Sequence, residues 1–148
     1  MDKKAVRGII QVMKVIGLTG TLSCGKGTVA AILSKEFGAR VLVFSDVLRE
    51  ELKRTGKRIT RGSLHVLAND WRKKSGPGII ARKLIELINA DSKNKLFACD
   101  GFRTVGEVNE FKAAFGKDFV LIAVDAPVEK RFELSKKRGR ENPPKSLE

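Results

Sequence analysis

Gly17-Leu18-Thr19-Gly20-Thr21-Leu22-Ser23-Cys24-Gly25-Lys26-Gly27-Thr28 is the stretch whose reading decides the fold. From Gly20 it runs G-x-x-x-x-G-K, and Gly27-Thr28 follows the lysine. Phosphate-cradling loops have this spacing. Their glycines let successive backbone N–H groups converge on an anion, and the lysine reaches the β- and γ-phosphates. The flanks agree. Lys14-Val15-Ile16 is a short apolar run with β-branched residues, which predicts a buried strand. Behind the loop, Val29, Ile32, Leu33 and Phe37 fall on one face of a predicted helix, with Gly38 at the expected C-terminal cap. Strand, glycine loop and helix together aim backbone donors and the positive helix end at a polyphosphate. The candidate phosphate-binding residues are therefore Gly20, Thr21, Ser23, Cys24, Gly25, Lys26, Gly27 and Thr28.

Outward from this loop the chain alternates. Arg40–Phe44 reads as a second buried strand, and Ser45 or Asp46 as the cap of a helix whose apolar side is Val47, Leu48 and Leu52. Thr55-Gly56 closes that helix. Thr60 can cap another, with Leu64, Leu67, Ala68 and Trp71 at i, i+3, i+4 and i+7. Ser75-Gly76-Pro77-Gly78 interrupts the chain before a further helix with Ile80, Leu84, Leu87 and Ile88 inward. A crossover between parallel strands normally needs one helix and loops of ~2–6 residues. Residues 46–94 are longer than that, so they read as a helical insert that covers an acceptor. Leu96–Asp100 is the third strand and ends in a carboxylate; Gly101-Phe102-Arg103-Thr104 is the loop beyond it. Val108, Phe111 and Phe115 mark a helix that stops at Gly116. Phe119–Val124 is an almost continuous apolar run, expected to be buried on both faces, and Asp125-Ala126-Pro127 starts the last helix. Asp125 is a helix cap or a site residue. Residues 1–12 read as an appendage before Met13, and the whole chain as one domain.

Alternating strands and helices with near-continuous apolar strands predict an α/β fold: a parallel sheet between helical layers, three layers in all. Ligands of such sheets sit at the carboxyl ends of the strands. The glycine loop, Ser45-Asp46, Asp100 with Arg103, and Asp125 all fall there.

Composition narrows the classes. The 148 residues are 42% hydrophobic and 32% charged, which suits a globular chain with a core. No run of ~18 apolar residues suggests a membrane span, and the first residues lack a secretory pattern. Two cysteines, Cys24 and Cys99, make no disulfide framework, so a reducing cytoplasm is the expected location. The formal net charge of +13 suits an anionic partner. Aromatic residues do not interleave regularly with basic ones, so a nucleotide-like small molecule is preferred to nucleic acid, and no membrane is expected.

Taken together, the motifs resemble the P-loop nucleotide kinases of the adenylate and cytidylate kinase group over residues 14–140. The loop has that group's G-K-G-T ending. Ser45-Asp46-Val47-Leu48-Arg49 resembles the segment in which an arginine meets the acceptor phosphate, and Asp100-Gly101-Phe102-Arg103-Thr104 resembles D-G-F-P-R-T without its proline. Arg138 and Arg140 match the start of an arginine-bearing lid, placed here in residues 136–148. Asp46–Glu51, Gly76-Pro77-Gly78 and Val124–Pro127 resemble more closely a largely archaeal group of proteins related to dephospho-CoA kinase.

This resemblance implies ATP as donor, with Mg2+, and phosphoryl transfer to a small acceptor, most simply a nucleotide. Such transfer needs positioning and charge neutralisation more than covalent help. Lys26 and the loop amides would hold the donor. Gly27 stands where many P-loops carry a magnesium-binding hydroxyl, so Mg2+ would be held mostly through water, with Thr28 and Asp100 as its candidate partners. Thr28 could instead bond an α-phosphate oxygen, and Asp100 could also polarise the acceptor oxygen. Arg49 and Arg103, with Ser45 and Asp46 beside them, are the candidate acceptor-binding residues, since a planar guanidinium fork suits a phosphate. Lys26, Asp100, Arg103, Arg138 and Arg140 are the candidate catalytic residues. His65 reads as a surface or partly packed residue and Trp71 as packing.

Relatives of this kind continue with a helix, a fifth strand and an adenine-holding loop, so the C-terminal part is expected to be truncated by ~30–40 residues, given ~100–200 residues for a usual domain. Phe119–Val124 would then be an edge open to a homo-oligomeric partner. The alternatives carried are a dephospho-CoA kinase-like activity and a non-catalytic ATP-binding or nucleic-acid-associated regulator.

Overall fold

The structure, a computed structural model, describes residues 12–138. Strand β1 is Lys14–Thr19, followed by helix α1 (Lys26–Phe37), β2 (Arg40–Val43), α2 (Phe44–Arg54), α3 (Arg61–Ser75) and α4 (Ile79–Ala90). Then come β3 (Leu96–Phe102), α5 (Val105–Phe115), a short 3-10 turn at Gly116–Asp118, β4 (Phe119–Ala123) and α6 (Val128–Lys137). Arg140 and the rest of the lid-like segment past Arg138, like residues 1–11 of the appendage, lie outside the described residues.

Among the described residues the sheet has four parallel strands in the order β2-β3-β1-β4. The chain leaves β1 through α1 to β2 on one side, returns through the helical insert to β3 between them, and crosses through α5 to β4 on the other side. The glycine loop after β1 thus lies at the point where the winding reverses, the usual ligand position in open α/β sheets.

The two sheet faces are covered unequally. Val15, Leu42, Phe97, Cys99 and Phe119 face the helices α2 to α5, whose Leu48, Ala68, Ile80, Leu84 and Ile88 are buried against them. Five phenylalanines join this core in a chain of ring contacts: Phe44 to Phe102 at 4.7 Å, Phe102 to Phe111 at 4.8 Å, and Phe111 to Phe115 and Phe119 at 5.6 and 5.3 Å. The other face carries α1, which packs Leu33 and Phe37 on Ile16, Val41, Leu96 and Ala98.

The anticipated insert is three helices. The α3 cap is a full box: Thr60 Oγ1 accepts from the Ser63 N–H at 3.0 Å, and Ser63 Oγ accepts from the Thr60 N–H at 2.9 Å. Asp91 ends α4 by accepting from the Lys93 and Asn94 N–H groups and from Arg40.

Several expectations are corrected. Strand β3 runs two residues past Asp100, so Gly101 and Phe102 are strand, not loop. The β1–β3 register shifts between Leu18 and Thr19 to include them, and Thr19 Oγ1 donates to the Phe102 carbonyl at 3.0 Å. Gly101 has φ +115°, and a Cβ there would meet Phe44 Cβ at 3.3 Å. Helix α2 begins at Phe44, with Val43 at the cap position and no side-chain cap, so Ser45 and Asp46 sit in its first turn. Phe44, Leu48 and Leu52, one turn apart, drive this: all are buried. Ile32 and Leu87 are exposed, at the margins of their helices' apolar stripes. Strand β4 is buried at Phe119 alone; Val120, Leu121 and Ile122 are exposed, because the strand pairs with β1 on one side and, among the described residues, has no neighbour on the other.

Candidate functional site

The loop Gly20–Gly25 turns sharply from β1 into α1. Gly20 has φ +147°, and a Cβ there would lie 2.2 Å from the Val124 carbonyl oxygen and 2.8 Å from Cys24 Sγ. No side chain fits. Ser23 (φ +59°) and Gly25 (φ +101°) are also left-handed, and such reversals point successive N–H groups to one side. A non-glycine residue in this region is uncommon. Ser23 is buried, and its hydroxyl has no hydrogen-bond partner among the described residues. Helix α1 starts with no side-chain cap and no acidic residue in its first turn, so its end keeps free donors and positive potential.

Lys26 closes the loop. Its Nζ donates to the carbonyls of Gly20 at 3.0 Å and Thr21 at 2.8 Å and lies 3.6 Å from Cys24 Sγ. The two carbonyls carry no charge, and no carboxylate pairs with Lys26 among the described residues, so the ammonium charge remains for an anion.

The loop forms one wall of a cleft of about 640 Å3. Ser23, Cys24, Gly25, Lys26 and Gly27 line it, together with Phe44, Ser45, Leu48 and Arg49 of α2, Asp100 and Gly101 of β3, and Arg103 just past that strand. Arg49 is held by its own helix, donating to Ser45 Oγ and Asp46 Oδ1, each at 2.7 Å. Arg138 reaches over the loop: its Nη2 is 3.8 Å from where a Gly27 Cβ would sit.

The candidate residues from the sequence thus converge, with exceptions. Gly20, Thr21 and Asp46 are not in the wall and act through neighbours: Gly20 by its backbone, Thr21 through Lys26, Asp46 through Arg49. Thr28 is exposed and does not line the cleft.

Sequence reasoning missed a further wall. Helix α3 contributes Arg61, Leu64, His65, Ala68 and Arg72, one stripe at helical spacing. Its apolar members were visible; Arg61 and Arg72 belong to no motif. His65 is part of this wall and bonds Asn69 (Nδ2 to Nδ1, 3.4 Å). Also missed was Glu107, which is fully buried. Its Oε2 accepts from the backbone N–H groups of Arg103 at 2.8 Å and Thr104 at 3.0 Å, and its Oε1 from Arg72 Nη2 at 3.0 Å. The T-x-x-E capping signature at Thr104–Glu107 was the available signal.

In charge, the wall is one-sided. Lys26, Arg49, Arg61, Arg72, Arg103 and Arg138 line it, and among the described residues Asp100 is the carboxylate that does. An anionic ligand fits. Among the described residues no three of His, Cys, Asp or Glu cluster as a metal site. Mg2+ nevertheless suits such a cleft, since it keeps most of its waters and uses one or two carboxylates plus substrate phosphates. Cys99 does not line the cleft; it is buried in β3, where burial pushes its thiol up to about 12. No helix among the described residues is long and apolar enough to cross a membrane.

The model of a family described as "AAA domain" matches residues 19–148. A UPF0200/UPF0201 protein of Archaeoglobus fulgidus is 43% identical over 137 residues, which are 92% of this chain and 42% of that protein. A UPF0200 protein of Methanosarcina mazei is 36% identical over 136 residues, 92% of this chain and 72% of its own length. Among solved structures, a gluconokinase from Sinorhizobium meliloti 1021 superposes with a TM-score of 0.56 at 12% identity, covering 90% of this chain and 70% of the gluconokinase. That likeness shows a shared P-loop kinase fold and says nothing of a shared substrate.

Proposed function

Because the chain belongs to the AAA domain family and to the UPF0200 proteins, with a P-loop kinase-like fold, we propose that it transfers the γ-phosphoryl group of ATP to a small phosphorylated acceptor, nucleotide-like in class. The observation that carries this reading is a shared lining: Lys26 and the phosphate-cradling loop line the same cleft as Arg49, Asp100 and Arg103.

In this reading the loop N–H groups and Lys26 take the β- and γ-phosphates, and Ser23 Oγ gains the partner it lacks. Arg49 and Arg103 hold the acceptor's phosphate by their guanidinium forks. An acceptor phosphate oxygen bonds to the γ-phosphorus as the bond to the β–γ bridging oxygen breaks; ADP leaves. If the acceptor is a hydroxyl, its proton passes to Asp100. Arg138, over Gly27, offsets charge on the transferring group. Mg2+ brought with ATP would supply neutralising charge to the donor's phosphates, and Asp100 would help hold it through water. In domain terms we take the chain as one P-loop unit, with residues 46–94 as the acceptor-binding insert and 136–148 as the lid. We also propose that the exposed edge of β4 supports self-association.

Lys26→Ala tests the reading. ATP affinity, measured by titration calorimetry, is expected to fall at least ~10-fold, since a charge-assisted contact contributes about 1.5–3 kcal/mol. Acceptor-stimulated ADP release from a panel of nucleoside monophosphates should vanish. Unchanged ATP affinity sinks the P-loop assignment. ATP binding by the parent chain without stimulation by any acceptor favours a non-catalytic module.

A further inference from the structure

We propose that Arg72 is a third arginine ligand of the acceptor's phosphate, beside Arg49 and Arg103, and that buried Glu107 positions it together with Arg103. This rests on the kinase reading above and extends it to residues that carry no motif.

The argument starts from the carboxylate. Glu107 has no solvent to share its charge, so its oxygens must be satisfied internally. Oε2 is taken by the N–H groups of Arg103 and Thr104. Only Oε1 remains for Arg72, which therefore meets it through Nη2 alone rather than as a two-pronged fork. A guanidinium has five N–H donors. One is used here, and Nε, sealed from solvent, has no partner among the described residues. Leaving a buried donor unmade is costly. Arg72 is thus anchored at one corner and incomplete, and its side chain keeps 23% exposure in a cleft it helps to line.

The same carboxylate fixes the backbone of Arg103, which lines the same cleft as Lys26. Arg72 and Arg103 are 31 residues apart in sequence (103 minus 72), yet one side chain registers both. Two arginines held by a common rigid partner make a clamp for a tetrahedral oxyanion with little ordering left to do on binding. A small rotation of the Arg72 guanidinium about its Oε1 contact brings more of its donors to bear. The ligand class is a phosphomonoester, recognised by its dianionic end. A purely structural bridge between α3 and α5 is the competing account, and the two differ in what ligand binding does.

Trp71 beside Arg72 packs on the core and does not line the cleft, so binding is read by titration calorimetry. The P-loop is first filled with Mg2+ and a non-hydrolysable ATP analogue. Inorganic phosphate and then adenosine monophosphate are titrated, with adenosine as the phosphate-free control. In the parent chain, phosphate and the monophosphate are expected to give a saturable binding heat and adenosine is not. Arg72→Ala should weaken both about 10-fold or more, the loss expected for a charged hydrogen bond. Arg72→Lys, which keeps the charge and the Glu107 contact, should recover part of that loss. Glu107→Gln should weaken phosphate severalfold while leaving the analogue's affinity within twofold. Should Arg72→Ala not fold, Arg72→Lys carries the test through its loss of phosphate affinity at parental stability. Parental phosphate affinity in the folded Arg72 variants, or no phosphate-dependent signal in the parent, overturns the proposal. Failure of the parent to bind the ATP analogue would instead strike at the kinase reading.

Discussion

Strands β3 and β4 are both apolar and both parallel to β1, yet they live in different surroundings. Leu96 to Cys99 of β3 are buried, while in β4 Val120 is 55% exposed and Ile122 40%. Composition does not separate them; position does. β3 has a strand on each side, α2 to α5 on one face and α1 on the other. β4 has β1 alone, and among the described residues only Phe119 is drawn into the phenylalanine cluster. The contrast teaches where stability and function are invested. The packed flank fixes the end of β3, and with it Asp100 and Arg103. The open edge contributes Val124, whose N–H donates to the Thr19 carbonyl at 2.8 Å and whose own carbonyl crowds Gly20, but little else to the cleft.

The largest effect should come from the packed flank. Phe111 is fully buried and touches Phe44, Phe102, Phe115 and Phe119. Phe111→Ala is expected to cost about 3–5 kcal/mol in urea unfolding, from lost transfer energy and an unfilled cavity. A loss below about 1 kcal/mol would mean that the cluster is loosely packed, and the contrast with β4 would collapse.

That cluster also shows what could be read beforehand. The strand, glycine loop and first helix are local, with motif and periodicity in one stretch, and they were legible; so were Thr60 as a cap and Gly38 as a stop. Phe44 was legible as apolar but not as helical, because cap preference pointed to Ser45 and Asp46. The actual start is set by burying Phe44 beside Phe102, a contact made 58 residues away (102 minus 44). Ile32 and Leu87 erred for a related reason: periodicity gives the centre of a stripe, while its margin depends on what covers it. The Arg72–Glu107 pair was out of reach, since it needs the rotation of α3 about its axis. Only the Thr104–Glu107 half was written in local sequence.

A middle-sized difference is expected between the two thiols, one on each side of the contrast between wall and core. Cys24 lines the cleft in a loop of converging amides beside Lys26; Cys99 sits in β3, its pKa pushed up to about 12 by burial. A raised thiol pKa keeps Cys99 protonated at pH 8, where a thiolate is the reacting form. Brief iodoacetamide treatment and peptide mapping should find Cys24 modified on the order of 10-fold faster or more, and ATP should slow it. Faster modification of Cys99 would show that the flank opens readily. Absence of protection by ATP would put the nucleotide elsewhere.

The smallest effect should come from the open edge, and it is the sharper test for being small. Val120 and Ile122 lie on the sheet face away from the phenylalanines, and no helix among the described residues covers them. Val120→Thr with Ile122→Thr therefore removes little burial. β propensity is kept, since threonine is branched like valine. Unfolding free energy should then change by no more than about 0.5 kcal/mol, the range for surface substitutions. Self-association should respond instead. An unpaired apolar edge invites a second strand, and polar side chains on it weaken the apolar part of that contact. Sedimentation of the parent is expected to show species larger than the monomer in a concentration-dependent way, and the double variant to shift toward monomer. A monomeric parent removes the proposed self-association. A stability loss approaching that of Phe111→Ala says more: these side chains are buried in solution, and β4 is a core strand like β3.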